Sequence, residues 1–389
     1  MIPRLIEDLV NSRLESSGKV ILLLGARQVG KTTLVEHIAF KLRSKGHRVL
    51  YLNCDLDEEK SAVNTTSRGV IEQLIANIDA LIIDEAQGLD NPGLTLKNIH
   101  AIAPKVNILA TGSSSFELKN KLSDPLTGRF LDFTLYPLSF SEILSNKNLS
   151  KIIGKNQADA ILPAILLYGL YPEVYLEANP TEKQTLLDKL VESYLFKDVL
   201  TFQRVQNSQA IKDLTKALAY QIGSEVNENE LANRLKIDRK TVINYLEVLE
   251  KSYVIVRVYP FSKNPRREIG KNYKVYFVDL GIRNALIGDF NPVELRGDAS
   301  FLWENFLYIE RMKTFANRSQ KVLSHFWRNY GGAEVDYIEE VTSSSLKAFE
   351  FKYGPGFLSK GADSFIKKYN IKVNLVNREN YLEFINRVY

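Results

Sequence analysis

The sequence is poor in residues that cross-link proteins or anchor them in membranes. Cys54 is the only cysteine among 389 residues, so no disulfide can form within the chain, which favours a reducing setting. The four histidines are scattered without ligand spacing, and no zinc pattern is present. The longest apolar runs, KVILLLG and AILPAILLYGLY, are shorter than the about 20 residues of a membrane-spanning helix. Residues 1–19 lack the apolar segment of a secretion signal, so we expect a cytoplasmic protein without a membrane partner.

Composition and charge indicate a globular chain with one basic segment. Apolar residues make up 45% and charged residues 25% of the sequence, which is typical of a globular protein. A length of 389 residues suggests two or three domains of about 100 to 200 residues each. The formal net charge is +5, but residues 231–274 alone hold eleven basic and four acidic side chains. The rest of the chain is therefore close to neutral.

A phosphate-binding loop is indicated near the amino terminus. KVILLLGARQVGKTTLVEHIAFKL reads as a buried strand from Val20 to Leu24, a glycine loop, and a helix that begins near Lys31. Such a loop turns backbone N–H groups toward phosphate oxygens, and the helix amino terminus adds partial positive charge. Lys31 is expected to reach the β and γ phosphates of ATP, and the Thr32 hydroxyl to bind Mg²⁺. The predicted ATP-binding residues are Gly25, Ala26, Arg27, Gln28, Val29, Gly30, Lys31, Thr32 and Thr33. The alternative is a glycine turn that holds no nucleotide.

Two further apolar runs end in polar residues that suit this site. DALIIDEAQGL ends a strand in paired acids, and we expect Asp84 to hold Mg²⁺ through water while Glu85 orients and deprotonates the attacking water. A solvated exit turn is the alternative for this pair. VNILATGSSS ends in small hydroxyl residues, of which Ser113 or Ser114 would contact the γ-phosphate or the catalytic water. Plain turn residues are the alternative there.

Together these motifs resemble the bacterial and archaeal AAA-type ATPases that carry GxRQVGKTT, an acidic DEaQ box and TGSSS in that order. The resemblance continues through DPLTGRFLDFTLYPLSFSE. It implies that Arg129, in the Gly-Arg pair, is an arginine finger that acts on the nucleotide of a neighbouring subunit, which requires a homo-oligomer. A structural salt bridge is the alternative use of this arginine.

Residues 148–223 are predicted to be helical. LLDKLVESYLFKDVL repeats apolar residues at three and four residue spacing. YGLYPEVYLE, in the middle of this stretch, resembles the GGfPEvv segment of the same family. The resemblance implies a small helical lid over the nucleotide, following an ATPase domain at residues 1–147.

Residues 224–275 have the pattern of a winged helix. NENELANRLKIDRKTVINYLEVLEK predicts two short helices around a turn, and YVIVRVY begins a strand that would form the wing. One interpretation is that this basic module grips duplex DNA, with contacts from Arg239, Lys240, Thr241, Asn244, Arg266 and Arg267. The other is that it is a lid or dimer surface that serves the nucleotide domain.

The carboxyl-terminal residues 276–389 contain a carboxylate pattern. Glu350 and Lys352 are two apart in the predicted strand LKAFEFKYG, so both leave the same face. The turn at 342–345 folds the preceding strand back and brings Asp336 near Glu350. Two carboxylates and a lysine suit Mg²⁺ and an attacking water, with Asp336 and Glu350 as the metal ligands.

This arrangement resembles the restriction-endonuclease-like superfamily, marked by Asp, a gap and Glu-x-Lys, with a further Glu on the first helix. Glu304 occupies that helix position in DASFLWENFLYIERMKTF. FWRNYGGAEVD extends the resemblance to the carboxyl-terminal domain of the same ATPase family. An EFK alternation is also ordinary in a half-buried strand, and such folds also occur as inactive DNA-holding or scaffolding domains.

The sequence therefore predicts an α/β chain with four parts: a parallel-sheet P-loop ATPase domain, a helical lid, a winged helix and an endonuclease-like α/β domain. The predicted function is Mg²⁺-dependent binding and hydrolysis of ATP, with the nucleotide state coupled to DNA contact. The alternatives are an ATP-gated, metal-dependent DNA endonuclease and a nucleotide-dependent assembly or regulatory protein with little turnover.

Overall fold

The computed structural model describes residues 2–113, 128–145, 151–195, 199, 207–262, 272–329, 331–342 and 345–387. The chain divides into two compact units, the first formed by Met1–Pro137 with Lys251–Tyr253 and the second by Leu138–Glu250 with Val254–Tyr389. The finer division into four parts stays a prediction. Every helix in the described ranges is too short or too polar to span a lipid bilayer.

The first unit is built on a five-stranded parallel sheet. Its strands are β1 (Val20–Leu24), β2 (Val49–Asn53), β3 (Ala80–Asp84), β4 (Asn107–Gly112) and β5 (Phe130–Thr134), in the spatial order β2-β3-β4-β1-β5. All neighbours are parallel. β1 and β3 are buried at every position, because helices cover both faces of a parallel sheet and apolar runs such as VILLL can face them.

Five helices lie in the described part of this unit. They are α1 (Glu7–Ser16), α2 (Lys31–Ser44), α3 (Asp57–Val63), α4 (Arg68–Ile75) and α5 (Pro92–Ile102), with a 3₁₀ turn at Ala86–Gly88. α5 shows why a helix begins where it does: the Asn91 side chain accepts a 3.1 Å hydrogen bond from the backbone N–H of Leu94, and Pro92 takes the first helical position. Apolar side chains from the helices and the sheet pack into a buried cluster that includes Leu22, Ile83 and Ile99.

The second unit opens with helices, as the pattern at 148–223 predicts. They are α6 (Phe140–Ser145), α7 (Lys151–Tyr168), α8 (Pro172–Leu176), α9 (Pro180–Lys189) and α10 (Ser208–Tyr220), with a π-helical turn at Leu190–Leu195. The turn after α7 packs closely: a Cβ on Gly169 would lie 2.0 Å from the Asp279 carboxylate, which accepts a 2.7 Å hydrogen bond from the Leu170 N–H.

A small three-stranded antiparallel sheet follows α10 in the same unit. It contains β6 (Glu225–Val226), β7 (Ile255–Val258) and β8 (Tyr273–Phe277) in the order β6-β8-β7, and two helices, α11 (Glu228–Leu235) and α12 (Arg239–Lys251), separate β6 from β7. The chain order is therefore helix, strand, helix, helix, strand, strand. Val242, Leu246 and Leu249 of α12 are buried, as their spacing predicts.

A four-stranded mixed sheet completes the second unit. Its strands are β9 (Leu323–Arg328), β10 (Glu334–Thr342), β11 (Ser345–Phe351) and β12 (Val373–Val376), in the order β12-β11-β10-β9, with only β11 and β12 parallel. Its helices are α13 (Leu280–Ile287), α14 (Ala299–Ala316), α15 (Lys360–Tyr369) and α16 (Tyr381–Asn386), with a 3₁₀ turn at Val293–Leu295. β10 and β11 pair Tyr337 with Phe349, so the hairpin predicted at 342–345 is confirmed.

Candidate nucleotide site and carboxyl-terminal acidic cluster

The glycine loop lies between the carboxyl end of β1 and the first residue of α2. Gly30 has φ +94°, a left-handed conformation that glycine adopts without strain. A Cβ on Gly25 would lie 2.2 Å from the carbonyl oxygen of Leu135, so only glycine fits there. Strand, loop and helix begin and end where the sequence predicts them, with Val20–Leu24 before the loop and Lys31 after it.

Lys31 is folded over the inside of this loop. Its side chain is buried, and its Nζ donates hydrogen bonds of 3.1 Å to the carbonyl oxygen of Gly25 and 3.0 Å to that of Ala26. The loop backbone thereby holds an ammonium group at the amino terminus of α2. Positive charge at a helix amino terminus is a setting for anions, because the free N–H groups and the helix dipole act in the same direction.

Asp84 accepts hydrogen bonds from three hydroxyl groups. Thr32 Oγ1 donates to its Oδ2 over 2.7 Å, Tyr51 donates to the same oxygen over 2.8 Å, and Thr111 donates to Oδ1. Burial and then the Asp84 carboxylate raise the pKa of Tyr51, so this hydroxyl stays protonated and remains a donor. A carboxylate beside the hydroxyl of Thr32 gives the oxygen ligands that Mg²⁺ prefers, and these residues fit the ion.

Glu85 is held at the carboxyl end of β3 in an unusual backbone conformation. Its φ is +52°, rare for a residue other than glycine. Its N–H donates a 2.9 Å hydrogen bond to Thr111 Oγ1, and its carboxylate accepts one from the Gln87 amide. The Gln87 oxygen in turn accepts a 3.3 Å hydrogen bond from the N–H of Ser113. The structure thus brings Glu85 and Ser113 into one hydrogen-bonded series through Gln87, whereas Ser114 lies outside the described residues.

Arg4 supports the loop and carries no motif that would reveal it. Its guanidinium donates 2.7 Å hydrogen bonds to the carbonyl oxygens of Val29 and Tyr136. Val29 belongs to the glycine loop, and Arg4 precedes it by 25 residues. Of the three hydroxyl groups that donate to Asp84, the sequence indicates only that of Thr32. Tyr51 and Thr111 reach Asp84 from neighbouring strands and belong to no motif.

Arg129 and the glycine loop of the same chain lie at opposite ends of the sheet. Its carbonyl oxygen accepts a 3.0 Å hydrogen bond from the N–H of Val20, the first residue of β1, whereas the loop follows the last residue, Leu24. A strand rises about 3.3 Å per residue, so about 13 Å of strand separates the two ends. Arg129 is exposed and does not face the loop of the same chain, and its action on a neighbouring subunit stays a prediction.

The sequence of the first unit matches a family model described as an AAA domain, over residues 17–144. Residues 17–144 are therefore similar in sequence to an AAA domain. The matched residues include the glycine loop, Asp84 and Glu85. Two further models match the second unit, both described as domains of unknown function: DUF8612 over residues 159–292 and DUF4143 over residues 299–385.

Relatives of this chain occur in bacteria and archaea. An uncharacterized protein of Haemophilus influenzae is 26% identical over 276 residues, covering 68% of this chain and 68% of that protein. An uncharacterized protein of Methanocaldococcus jannaschii is 27% identical over 336 residues, covering 82% and 72%. One of Mycobacterium tuberculosis is 24% identical over 338 residues, covering 86% and 70%.

Two solved structures of DnaA are similar to part of this chain. The AMPPCP-bound DnaA of Aquifex aeolicus gives a TM-score of 0.28 at 20% identity, covering 62% of this chain and 86% of that one. Replication initiator DnaA bound to AMPPCP and single-stranded DNA gives 0.28 at 18% identity, covering 63% and 86%. These TM-scores are too low to establish a shared overall fold, so the similarity to an AAA domain rests on the sequence match.

The residues predicted to contact DNA lie mostly around the start of α12. Lys240 is exposed, and Arg239 is exposed with its Nη2 2.8 Å from the Glu228 carboxylate. The hydroxyl of Thr241 donates a 2.6 Å hydrogen bond to the carboxylate of Asp238, as part of a helix cap. Asn244 is half-buried. The two remaining candidates, Arg266 and Arg267, lie outside the described residues.

The carboxyl-terminal acids converge as the hairpin predicts, but each already has partners. Asp336 Oδ2 accepts a 2.7 Å hydrogen bond from the N–H of Phe351. Glu350 is buried and accepts from Lys352 Nζ at 2.7 Å on one oxygen and from the N–H of Ser359 at 2.9 Å on the other. Burial, and then the neighbouring Glu304 carboxylate, raise the pKa of Asp336 to about 7.

Glu304 has the expected position on α14 but is bonded to two residues that the sequence did not single out. Lys274 Nζ and the hydroxyl of Tyr276 donate to the same Glu304 oxygen, over 2.8 Å and 2.5 Å. Among the described residues, no group of three or more His, Cys, Asp or Glu side chains is placed to hold a metal ion. The carboxyl-terminal acids therefore do not fit the bound Mg²⁺ that the sequence pattern predicts.

Proposed function

We propose that this protein binds ATP with Mg²⁺ at the glycine loop and hydrolyses it. The observation that carries the proposal is the convergence of Lys31, Thr32 and Asp84 from two separate elements at the carboxyl edge of one parallel sheet. Ligands of open α/β sheets bind at this edge, where the loops that follow the strands meet. The match of residues 17–144 to an AAA domain supports the same function.

The roles of the side chains follow from their positions. Lys31 neutralises phosphate charge from inside the loop, and the loop N–H groups bind phosphate oxygens. Thr32 and Asp84 hold Mg²⁺, and polarisation of the phosphate oxygens is the chemistry that this ion supplies. Glu85, held in place by Gln87 and Thr111, orients the attacking water and takes its proton. The water oxygen bonds to the γ-phosphorus as the bond from that phosphorus to the bridging oxygen breaks, and ADP leaves with that oxygen.

Phosphate release by the purified full chain tests this proposal. Lys31→Ala is expected to abolish turnover, because the phosphates lose their central cation. Lys45→Ala is the matched control: Lys45 follows the carboxyl end of α2 and is exposed, with Glu15 as its partner at 2.7 Å, and its loss should leave turnover unchanged. Equal phosphate release from wild type and Lys31→Ala would contradict the proposal. Tight ATP binding with no turnover in the wild type would favour an assembly role instead.

We further propose that α11, α12 and the small sheet form a winged helix that contacts duplex DNA. The supporting observation is a group of four exposed basic residues around the turn between the two helices: Arg234, Lys236, Arg239 and Lys240. Exposed bases close together attract the phosphate backbone and make binding dependent on salt. Nucleotide hydrolysis would then change DNA contact, with Arg129 completing the site across subunits of a homo-oligomer.

The salt dependence of duplex binding tests this second proposal. Lys240→Ala should weaken binding of all sequences and lower the salt slope by about one, as expected for one lost phosphate contact. Lys216→Ala removes an exposed lysine from α10 and serves as the control. Absence of duplex binding, or equal slopes for wild type and Lys240→Ala, would favour a role of this module as a protein surface. Stimulation of the ATPase rate by duplex DNA would connect the two functions.

A further inference from the structure

Lys274 is the one charged residue of a buried strand. It is the second residue of β8, in the strand YKVYF, and every position of that strand is buried. Its side chain is only 3% exposed. A buried ammonium group needs opposite charge around it, because removal from water is costly unless the group is paired.

The ammonium of Lys274 receives that charge from two other elements of the same unit. It donates a 2.8 Å hydrogen bond to Glu304 Oε1 on α14, and it pairs with the carboxylate of Glu334 on β10. Burial alone would lower the pKa of Lys274, but Glu304, Glu334 and Asp336 together raise it above its ordinary value. Lys274 therefore remains a cation inside the group of acids formed by Glu304, Glu334, Asp336 and Glu350.

The acids that could bind a metal ion already accept hydrogen bonds from donors of this chain. Tyr276 shares the Glu304 oxygen with Lys274, the N–H of Phe351 holds Asp336, and Lys352 and Ser359 hold Glu350. Mg²⁺ needs about six oxygen ligands in octahedral geometry. Lys274 supplies donors only, and its charge repels a second cation in the same poorly solvated space.

We propose that Lys274 is the resident cation of this acidic cluster and that it excludes a divalent metal. The part of the second unit that resembles a nuclease then holds its fold through Lys274 and does not cut by metal-assisted chemistry. This inference concerns residues outside the glycine loop, and it is independent of the ATPase proposal.

Binding of Mn²⁺ to the full chain without nucleotide tests the inference. Free Mn²⁺ is followed by electron paramagnetic resonance in wild type, Asp336→Asn, Lys274→Met and the double variant. Methionine keeps most of the apolar length of lysine and removes its charge. Wild type and Asp336→Asn should bind Mn²⁺ identically. Lys274→Met should gain a site that binds Mn²⁺ about tenfold or more tighter than the wild type does, and the double variant should lose it.

Two outcomes would overturn the inference. The first is a Mn²⁺ site in the wild type that Asp336→Asn removes, because the cluster would then accept metal with Lys274 in place. The second is a folded Lys274→Met variant, verified by its circular dichroism and melting transition, that gains no site. If Lys274→Met does not fold, Lys274→Gln replaces it. The comparison of Mn²⁺ binding by wild type and Asp336→Asn needs neither Lys274 variant.

Discussion

Thr32 and Asp84 are 52 residues apart in the sequence, yet the hydroxyl of Thr32 donates a 2.7 Å hydrogen bond to the carboxylate of Asp84. Thr32 is the second residue of α2, the helix after β1, and Asp84 is the last residue of β3, which lies two positions from β1 in the sheet. This bond joins the two groups that we propose as the Mg²⁺ ligands. Tyr51 and Thr111 hold the carboxylate in the same orientation from strands on either side of β3.

Glu85→Gln is expected to separate binding from hydrolysis. The amide keeps the size of the side chain but cannot take a proton from water, so turnover should fall by about a hundredfold or more, the usual contribution of a general base. ATP affinity should stay within about threefold of the wild type, because Glu85 makes no predicted phosphate contact. A phosphate-release assay measures turnover, and an equilibrium titration with ATP measures affinity. Unchanged turnover in Glu85→Gln would assign the base to another residue.

Arg4→Met is expected to weaken ATP binding without touching the nucleotide directly. It removes the two hydrogen bonds to Val29 and Tyr136 and leaves those carbonyl oxygens without their charged donor. Hydrogen bonds to charged groups contribute about 1.5–3 kcal/mol each, so even partial loss of loop order should cost about tenfold in affinity. Arg13→Met is the control, since Arg13 is exposed on α1. Equal ATP affinities of the two variants would show that Arg4 does not support ATP binding.

Gly25→Ala is expected to disrupt the loop by steric clash. The new methyl group would lie 2.2 Å from the Leu135 carbonyl oxygen, so the backbone must move, at a cost of about 1–3 kcal/mol in the free energy of unfolding. ATP binding should be lost with it. Gly69→Ala is the matched control, because Gly69 lies in α4 with nothing within 4 Å of its Cβ position, and alanine there should stabilise the helix by about 0.5–1 kcal/mol. Urea unfolding of both variants tests the pair, and a Gly25→Ala variant as stable as Gly69→Ala would contradict the packing.

Cys54 is expected to react with thiol reagents only slowly in the folded chain. Burial first, and then the Asp55 and Asp84 carboxylates, raise the pKa of its thiol to about 12. The reactive thiolate is the deprotonated form, so the alkylation rate should keep rising with pH through pH 10 in the folded chain. In denaturant the rate should level off above about pH 9, near the ordinary thiol pKa. Because Cys54 is the only cysteine, Cys54→Ser gives the blank. A folded-state rate that levels off near pH 9 would contradict the burial.

Local patterns were sufficient for the elements that build the nucleotide site. The run VILLL, the glycines and the change to helical spacing at Lys31 predicted strand, loop and helix with the bounds that the structure has. The short turn before Ser345 predicted that β11 folds back beside β10 and brings Asp336 near Glu350; the shift of register between Glu340 and Thr342 was not predicted. In both cases the information lies within a few residues along the chain, where periodicity and turn chemistry act.

The partners of these residues could not be predicted in the same way. Arg4 meets Val29, and Lys274 meets Glu304, through the packing of elements that are far apart in sequence. A lysine inside the apolar strand YKVYF is a signal that a buried acid lies near, but it does not say which one. The prediction of a metal at Asp336 and Glu350 rested on the acids and Lys352. It did not include Lys274, which pairs with the neighbouring Glu304 and Glu334.

A calorimetric titration of ATP with Mg²⁺ into the folded full chain tests the central claim most directly. The account predicts one ATP bound per chain in the wild type and in Lys45→Ala, and loss of that binding in Lys31→Ala. No uptake of ATP by the wild-type chain, with its folded state verified by circular dichroism, would contradict it.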